Sequence, residues 1–330
     1  MLKNKIVNRF ESLKFVANHI LVNVYQSLEE IKPIKRPVLT LGMFDGVHIG
    51  HQSILKQLNT IAKEIDGESV LITFNPHPRM VLQPNCDLKF LNTLEEKENV
   101  LRQFGLEHLI IQAFTKDFSQ VTSVEFVKNL LVDKINIDTL VIGYDHHFGK
   151  NREGNFEQLQ VLSKEYGFNL IQLQAVEEND VAVSSTKIRN ALIEGNIAYA
   201  NKALNYQYPL SGEVVHGDKI GRTLGFPTAN LQVDPNKLIP KDGVYAVDVF
   251  VDDQKYLGLL SIGFRETVTN SREHRVEVNI LDFDREIYGE TIRLEFLGHL
   301  RDEKKFDSLE DLITAMNGDK ENAIKLYGNN

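Results

Sequence analysis

The chain has 330 residues, 42% of them hydrophobic and 25% charged, with a formal net charge of −9. A length of that order holds about two domains, the composition is that of a globular chain, and the negative balance speaks against a broad nucleic-acid surface while leaving room for a local basic pocket. A single cysteine, Cys86, excludes an internal disulfide. The apolar stretch Phe15–Tyr25 is broken by Asn18, His19 and Asn23, too short and too polar for a membrane span and without a cleavage pattern, so the expected location is cytoplasmic.

Residues 1–23 carry no motif and read as an N-terminal extension, either amphipathic or upstream of the first domain. Val24-Tyr25 opens a short strand and turn ahead of a core strand, Val38–Leu41. That run breaks at Gly42, turns through Phe44-Asp45-Gly46, and enters a segment opened by His48 and His51 and continued by Ile54, Leu55, Leu58 and Ile61. Spacing of three and four predicts a helix there. Ser69–Phe74 predicts a buried strand stopped by the turn Asn75-Pro76-His77-Pro78. A helix over Thr93–Phe104 has Glu95, Glu96 and Glu98 early and Arg102 late, as the helix dipole favours. Strand-like His108–Gln112, helical Val121–Leu131, the buried strand Thr139–Gly143, helical Phe156–Tyr166 and the strand Asn169–Leu173 follow. Val183-Ser184-Ser185-Thr186 then caps a helix over Lys187–Glu194 that Gly195 closes. Such alternation predicts a parallel α/β sheet.

The pattern changes near Tyr206. Val214-Val215, Gly243–Val251, Leu257–Gly263, Arg275–Leu281 and Thr291–Phe296 are short runs rich in Val, Ile, Tyr and Phe with no helices between them, which predicts a small β-barrel or sandwich. A helix from Ser308 is expected to stop at Gly318, with a second over Lys320–Tyr327. The boundary divides the chain into 24–206 and 207–330, each with a plausible core of its own.

In a doubly wound sheet the loops 42–51, 75–79, 143–149 and 184–189 converge at the strand ends. His48 and His51 lie three apart, on one side of a first helical turn whose N–H groups and positive dipole end suit phosphate. The alternatives are a polar helix start or a zinc pair, although no Cys or carboxylate stands at matching spacing. The turn lacks G-x-G-x-x-G, against a dinucleotide-binding enzyme. Ser184-Ser185-Thr186 is a helix cap that, with Arg189, suits a pyrophosphate. In the second half, Gly217, Gly221 and Gly225 let backbone amides approach phosphates, and Thr228 and Asn230 offer neutral oxygens on one side of an extended segment, which suits Mg²⁺. Glu277, read from alternation alone, is one outward position of a strand.

Gly42-Met43-Phe44-Asp45-Gly46-Val47-His48-Ile49-Gly50-His51 resembles the nucleotidylyltransferase signature in its flavin form, and Ser184-Ser185-Thr186-Lys187-Ile188-Arg189 resembles the second signature, S-S-T-x-I-R. Asn75–Pro78 is similar to the F-x-P-H-P turn, and Gly143–Gly149 to a G-x-D-F-x-F-G loop with His146 in place of the first Phe. The string from Gly217 to Asn230 resembles the flavokinase signature. From about Val24 to Tyr327 the chain resembles the bacterial bifunctional riboflavin kinase/FAD synthetase family. That resemblance implies a Rossmann-like nucleotidylyltransferase domain with a parallel sheet, joined to a six-stranded β-barrel kinase domain with a terminal helix. It implies that riboflavin and ATP give FMN, and that FMN and ATP give FAD and pyrophosphate. Catalytic roles fall on His48, His51, Arg189 and Glu277. ATP contacts fall on Gly42, Phe44, Gly50, Ser185, Thr186, Gly217, Gly221, Arg222 and Gly225; flavin contacts fall on Asn75, His77 and Asp145; Mg²⁺ falls to Thr228 and Asn230. The expected partners are these small molecules, with neither nucleic acid nor membrane, and self-association is left open. The family's I-G-x-x-P-T-F is Ile262-Gly263-Phe264-Arg265-Glu266-Thr267-Val268 here. A monofunctional FAD synthetase with a degraded kinase half, and a non-catalytic flavin- or nucleotide-binding regulator, stand as alternatives.

Overall fold

The computed structural model describes residues 22–83, 85–143, 148–150, 153–173, 177–178, 181–217, 221, 225–252, 254–266 and 272–328. In its first half β1 (Asn23–Tyr25), β2 (Val38–Leu41), β3 (Ser69–Asn75), β4 (His108–Ala113), β5 (Thr139–Gly143) and β6 (Asn169–Leu173) form one sheet in the order β1-β4-β3-β2-β5-β6, every pairing parallel. The central strands are buried along most of their length because helices cover both faces. Helix α1 (Ile49–Glu64) turns Leu55, Leu58 and Ala62 inward, the face its sequence spacing marks out. After it come a short α2 (Pro78–Leu82) and α3 (Leu94–Gln103), the latter opened by a Thr93–Glu96 capping box. Thr122 and Glu125 form a second capping box at the short α4 (Ser123–Glu125), which runs on as a π-turn over Phe126–Val132. Helix α5 (Phe156–Tyr166) has its Asn155 cap and Gly167 at φ 77°, and β7 (Glu177–Glu178) and β8 (Val181–Ala182) form a small hairpin.

The chain runs from β2 outward through β3 to β4, then crosses back to place β5 on the other side of β2. The sheet's switch point therefore lies between β2 and β5, where the loop that leaves β2 carries the histidines.

Two helices follow, α6 (Ser185–Ile193) and α7 (Ile197–Leu204). Helix α6 starts two residues earlier than expected because Ser184 alone is the cap, its hydroxyl accepting from Lys187 N. The second half is a closed barrel of β9 (Pro209–Val215), β10 (Ala229–Val233), β11 (Gly243–Val251), β12 (Gln254–Glu266), β13 (Arg272–Ile280) and β14 (Thr291–Arg301), in the order β10-β13-β12-β11-β14-β9. Strand β10 is absent from the strand runs of the sequence reading, which has only an extended segment at Thr228–Asn230: five residues behind a Pro-Thr turn carry too little alternation to stand out.

The two expected terminal helices are one, α8 (Leu309–Tyr327), which passes straight through Gly318. A mid-helix glycine costs about 1 kcal/mol against alanine. The next residue offsets this, since Asp319 takes a two-pronged bond from Arg301 of β14 at 3.0 and 2.9 Å. The barrel core also extends past residue 206. Ile188, Leu192, Ile197, Ala200 and Leu204 share one apolar cluster with Tyr208, Tyr245, Leu294 and Phe296. Asn201 links the two parts, donating to Phe296 O and accepting from Tyr208 N, both at 2.8 Å.

Candidate active sites

The loop leaving β2 is strained and tied down at each step. Phe44 and Val47 stand at φ 46° and 35°, a region that costs a β-branched residue most. Met43 O accepts from Lys97 Nζ at 2.8 Å, Gly46 O from the Tyr206 hydroxyl at 2.7 Å, and Val47 O from Gln52 Nε2 at 2.8 Å. Asp45 is buried. Its Oδ1 accepts from Leu91 N at 3.0 Å, its Oδ2 pairs with Arg189 Nη2 at 2.5 Å, and its carbonyl accepts from Ser185 Oγ at 2.9 Å.

The loop delivers His48 to the N-cap of α1 and His51 to its first turn, with ring centroids 3.8 Å apart and planes 18° from parallel. Phe44 stacks on the outer face of His51 at 4.5 Å. Gly50 leaves room for the pair, since a Cβ there would come 3.2 Å from the His48 ring. Burial pushes the His48 pKa down to about 4 and holds His51 well below its ordinary value, so both rings are neutral near pH 7. Their Nδ1 atoms are buried and, among the described residues, without a hydrogen-bond partner. Atoms so enclosed are closed to a ligand, so an anion at this helix start would meet the pair on its other ring edge.

His77 caps α2, its Nδ1 accepting from Arg79 N at 3.0 Å, and its ring stacks against Phe90. Burial lowers it to about 4, and it feels the charges of Asp45, Arg79, Arg189 and Lys97. Ser185 and Arg189 thus bring the 184–189 segment onto the 42–51 loop, and His77 lies within reach of its Asp45 charge. Asn75 ends β3 exposed, its carbonyl accepting from Phe114 N, and Thr186 is exposed in the first turn of α6. Asp145, His146 and His147 lie outside the described residues.

In the barrel, Asn230 of β10 and Ser261 of β12 both stand opposite Glu277 of β13, so the three share one outward face. Glu277 lies 3.4 Å from Arg275 Nη1. The face opens into a cavity of about 390 Å³ under α8, lined by Thr228, Glu277, Arg301, Leu312 and Met316 among others. A second cavity of about 370 Å³, reaching Phe283, Ile287 and Tyr288, also has Thr228 in its wall. Thr228 therefore stands where two ligand-sized spaces meet, held by Asn279 Nδ2 donating to the neighbouring Pro227 O at 2.7 Å.

Gly217 and Gly221 stand where a side chain does not fit. A Cβ on Gly217 would fall 2.2 Å from the Asn230 amide, and one on Gly221 would fall 2.3 Å from Phe226 O. Gly225 takes φ 81°. Arg222, Thr267 and Val268 lie outside the described residues. Sequence reasoning missed Asp45 as the anchor of the loop, although it stood within the motif, and missed Lys97, which reads as an ordinary helix-surface residue until burial is seen.

A parallel sheet with a phosphate-suited switch-point loop, joined to a closed barrel with two adjoining cavities, defines a two-domain enzyme of nucleotidyl and phosphoryl transfer. The FAD synthetase family model matches residues 31–187 and the riboflavin kinase model residues 204–327. Proteins called bifunctional riboflavin kinase/FMN adenylyltransferase are 39% identical in Listeria monocytogenes (88% of this chain, 92% of that one), 35% in Bacillus subtilis (89% and 93%) and 36% in Escherichia coli (88% and 93%). A crystal structure described as a macrolide-efflux protein from Streptococcus pneumoniae superposes with a TM-score of 0.83 at 35% identity, covering 92% of this chain and 98% of that one. The chain belongs to the bifunctional riboflavin kinase/FMN adenylyltransferase family.

Proposed function

We propose that residues 24–206 carry adenylyl transfer and residues 207–330 the kinase reaction of this two-activity FAD-synthesising enzyme. In the barrel, the riboflavin 5′-hydroxyl loses its proton to Glu277 as its oxygen attacks the γ-phosphorus of ATP. The β–γ bridging bond breaks, and FMN and ADP leave. Thr228, between the two cavities, marks the line along which the phosphoryl group passes. The Thr228 hydroxyl and the Asn230 side-chain oxygen fit Mg²⁺, which takes neutral oxygens beside phosphate oxygens and, when bound, offsets phosphate charge.

In the sheet domain, a phosphate oxygen of FMN attacks the α-phosphorus of a second ATP, and the α–β bridging bond breaks to release pyrophosphate. No covalent enzyme intermediate is needed. His48 and His51 donate to the α-phosphate oxygens, where charge builds up. Arg189 and the N-terminus of α6, with Ser185 and Thr186, take the pyrophosphate. Gly42, Phe44 and Gly50 shape the nucleotide loop, and Asn75, His77 and Asp145 are assigned to the flavin. Gly217, Gly221, Arg222 and Gly225 are assigned to the kinase nucleotide. This reading includes a cytoplasmic location, where ATP is available. The efflux description of the streptococcal structure has no counterpart in it; no helix among the described residues is long and apolar enough to cross a membrane.

The observation that carries the reading is the stacked His48–His51 pair at the N-terminus of α1, on the loop at the sheet's switch point. The test is chromatography of products from riboflavin and Mg·ATP. Wild type is expected to make FMN and then FAD, His48→Ala to stop at FMN, and Glu277→Gln to make FAD only from supplied FMN. FAD formed by His48→Ala at the wild-type rate removes the histidine assignment.

A further inference from the structure

Lys237 and Glu96 come from opposite halves of the chain, yet Lys237 Nζ lies 2.6 Å from Glu96 Oε2 with the two side chains 0% and 4% exposed. The same ammonium donates to Leu91 O at 2.6 Å and sits 4.3 Å over the Tyr208 ring. Glu96 is further bound by Ser211 N of the barrel and Thr93 N of its own half. Around this pair the backbones join: Phe90 N donates to Asn236 O at 2.7 Å, and Leu238 N to Phe90 O at 2.8 Å.

The segment gripped in this way, 89–92, holds the adenylyl-transfer loop on its other side. Leu91 N and Asn92 N donate to the Asp45 carboxylate, while Lys89 O accepts from Arg189 Nε at 2.9 Å. Leu91 is the shared element, with its carbonyl on Lys237 and its amide on Asp45. A buried ion pair contributes little net stability compared with apolar packing. What it supplies is direction, since an apolar side chain would fill the volume of Lys237 but could not bond Leu91 O.

We infer that Lys237, carried by the kinase barrel, is a positioning residue for adenylyl transfer: it fixes the 89–92 segment, and so sets Asp45 and Arg189 against the histidine pair. The inference rests on the adenylyl-transfer reading above.

The test measures both activities in the full-length chain. Lys237→Met is expected to lower the kcat of FMN adenylylation by about 10–100-fold, the range that a misplacement near 1 Å produces, with little change in KM and none in riboflavin phosphorylation. The variant also strands a buried carboxylate, so Lys237→Met/Glu96→Gln is measured beside it. Melting temperature should recover in the double variant while adenylylation stays low. Full recovery of adenylylation would make the pair merely structural and overturn the inference, as would equal loss of both activities in the double variant or wild-type kcat in Lys237→Met. In an Asp45→Asn background, Lys237→Met should cost little more, whereas two fully multiplying losses would break the route through Asp45. His48→Ala serves as the control: FAD synthesis surviving there removes the underlying site assignment, and its loss there leaves a failure of the Lys237 variants to count against the positioning role alone.

Discussion

Arg189 Nη2 lies 2.5 Å from Asp45 Oδ2, joining the helix that carries the second signature to the loop that follows the first strand of the sheet core. The guanidinium is not a free cation: its Nε is also committed, to Lys89 O. Two of its five donors therefore hold it in place. An arginine aimed by a buried carboxylate loses little further rotamer freedom when it takes up a phosphate.

Asp45→Asn tests this arrangement. The change keeps the shape but leaves the mostly buried guanidinium without its counter-charge, a situation worth about 3 kcal/mol of stability when one partner of a buried pair is removed. FMN adenylylation should fall by about 10²-fold, since the aim of Arg189 and the strained turn into His48 are both loosened. Riboflavin phosphorylation should hold. Thermal melts and separate assays of the two reactions check the outcome.

The histidine pair should behave as donors to the transition state. Removing His48 or His51 is expected to cost about 10²–10³ in adenylyl transfer, with the kinase reaction unaffected. Metal analysis should find no stoichiometric zinc lost on substitution; if zinc is lost, the pair consists of structural ligands.

Protonation gives an independent handle on the same pair. Unfolded, His48 would take up its proton near 6.5, but in the folded protein only near 4, because burial penalises the charged ring. Between those values the unfolded chain binds more protons, so stability is level above about pH 6.5 and falls as pH drops toward 4. A gap of that size corresponds to on the order of 3 kcal/mol at this one buried site, and His51 shifts in the same direction. Urea titrations across this window should give a shallower slope for His48→Asn than for wild type. Identical slopes would mean that His48 titrates normally in the folded protein.

How much of this was legible in the sequence follows from where the information lies. Helix α5 and strands β5 and β6 match their predicted limits because caps and periodicity are local: Asn155 opens α5 and Gly167 closes it. The loop motifs single out the two histidines and Thr228 as candidates for the same reason, whereas Glu277, on a strand, is singled out only by the family resemblance. Local signals misled at Gly318, where a bond from a distant strand carries the helix onward, and were too weak at β10. The bonds that aim the site were hidden altogether. Leu91, Glu96, Lys97 and Lys237 look like ordinary core and surface residues, and only the long-range fold puts a lysine at 237 against a glutamate at 96.

The barrel site makes the last prediction, in which two substitutions should fail in different ways. Glu277 faces Asn230 and Ser261 across the strands and opens into the cavity beneath α8. Glu277→Gln keeps the side-chain shape and removes the base, so riboflavin phosphorylation should lose about 10²–10⁴ in kcat with nucleotide affinity nearly unchanged. Gly217→Ala acts at one remove. Its new Cβ would stand 2.2 Å from the Asn230 amide, which forces that side chain away from its place beside Glu277. Since Asn230 is assigned to Mg·ATP and not to the proton, this variant should raise the KM for ATP more than it lowers kcat. Adding Asn230→Ala to Gly217→Ala removes the side chain that clashes, so a defect caused by the collision should not deepen in the double variant. Wild-type kcat in Glu277→Gln would leave the riboflavin proton without this acceptor. A Gly217→Ala defect that falls on kcat alone would mean that Asn230 serves the chemical step, not the nucleotide.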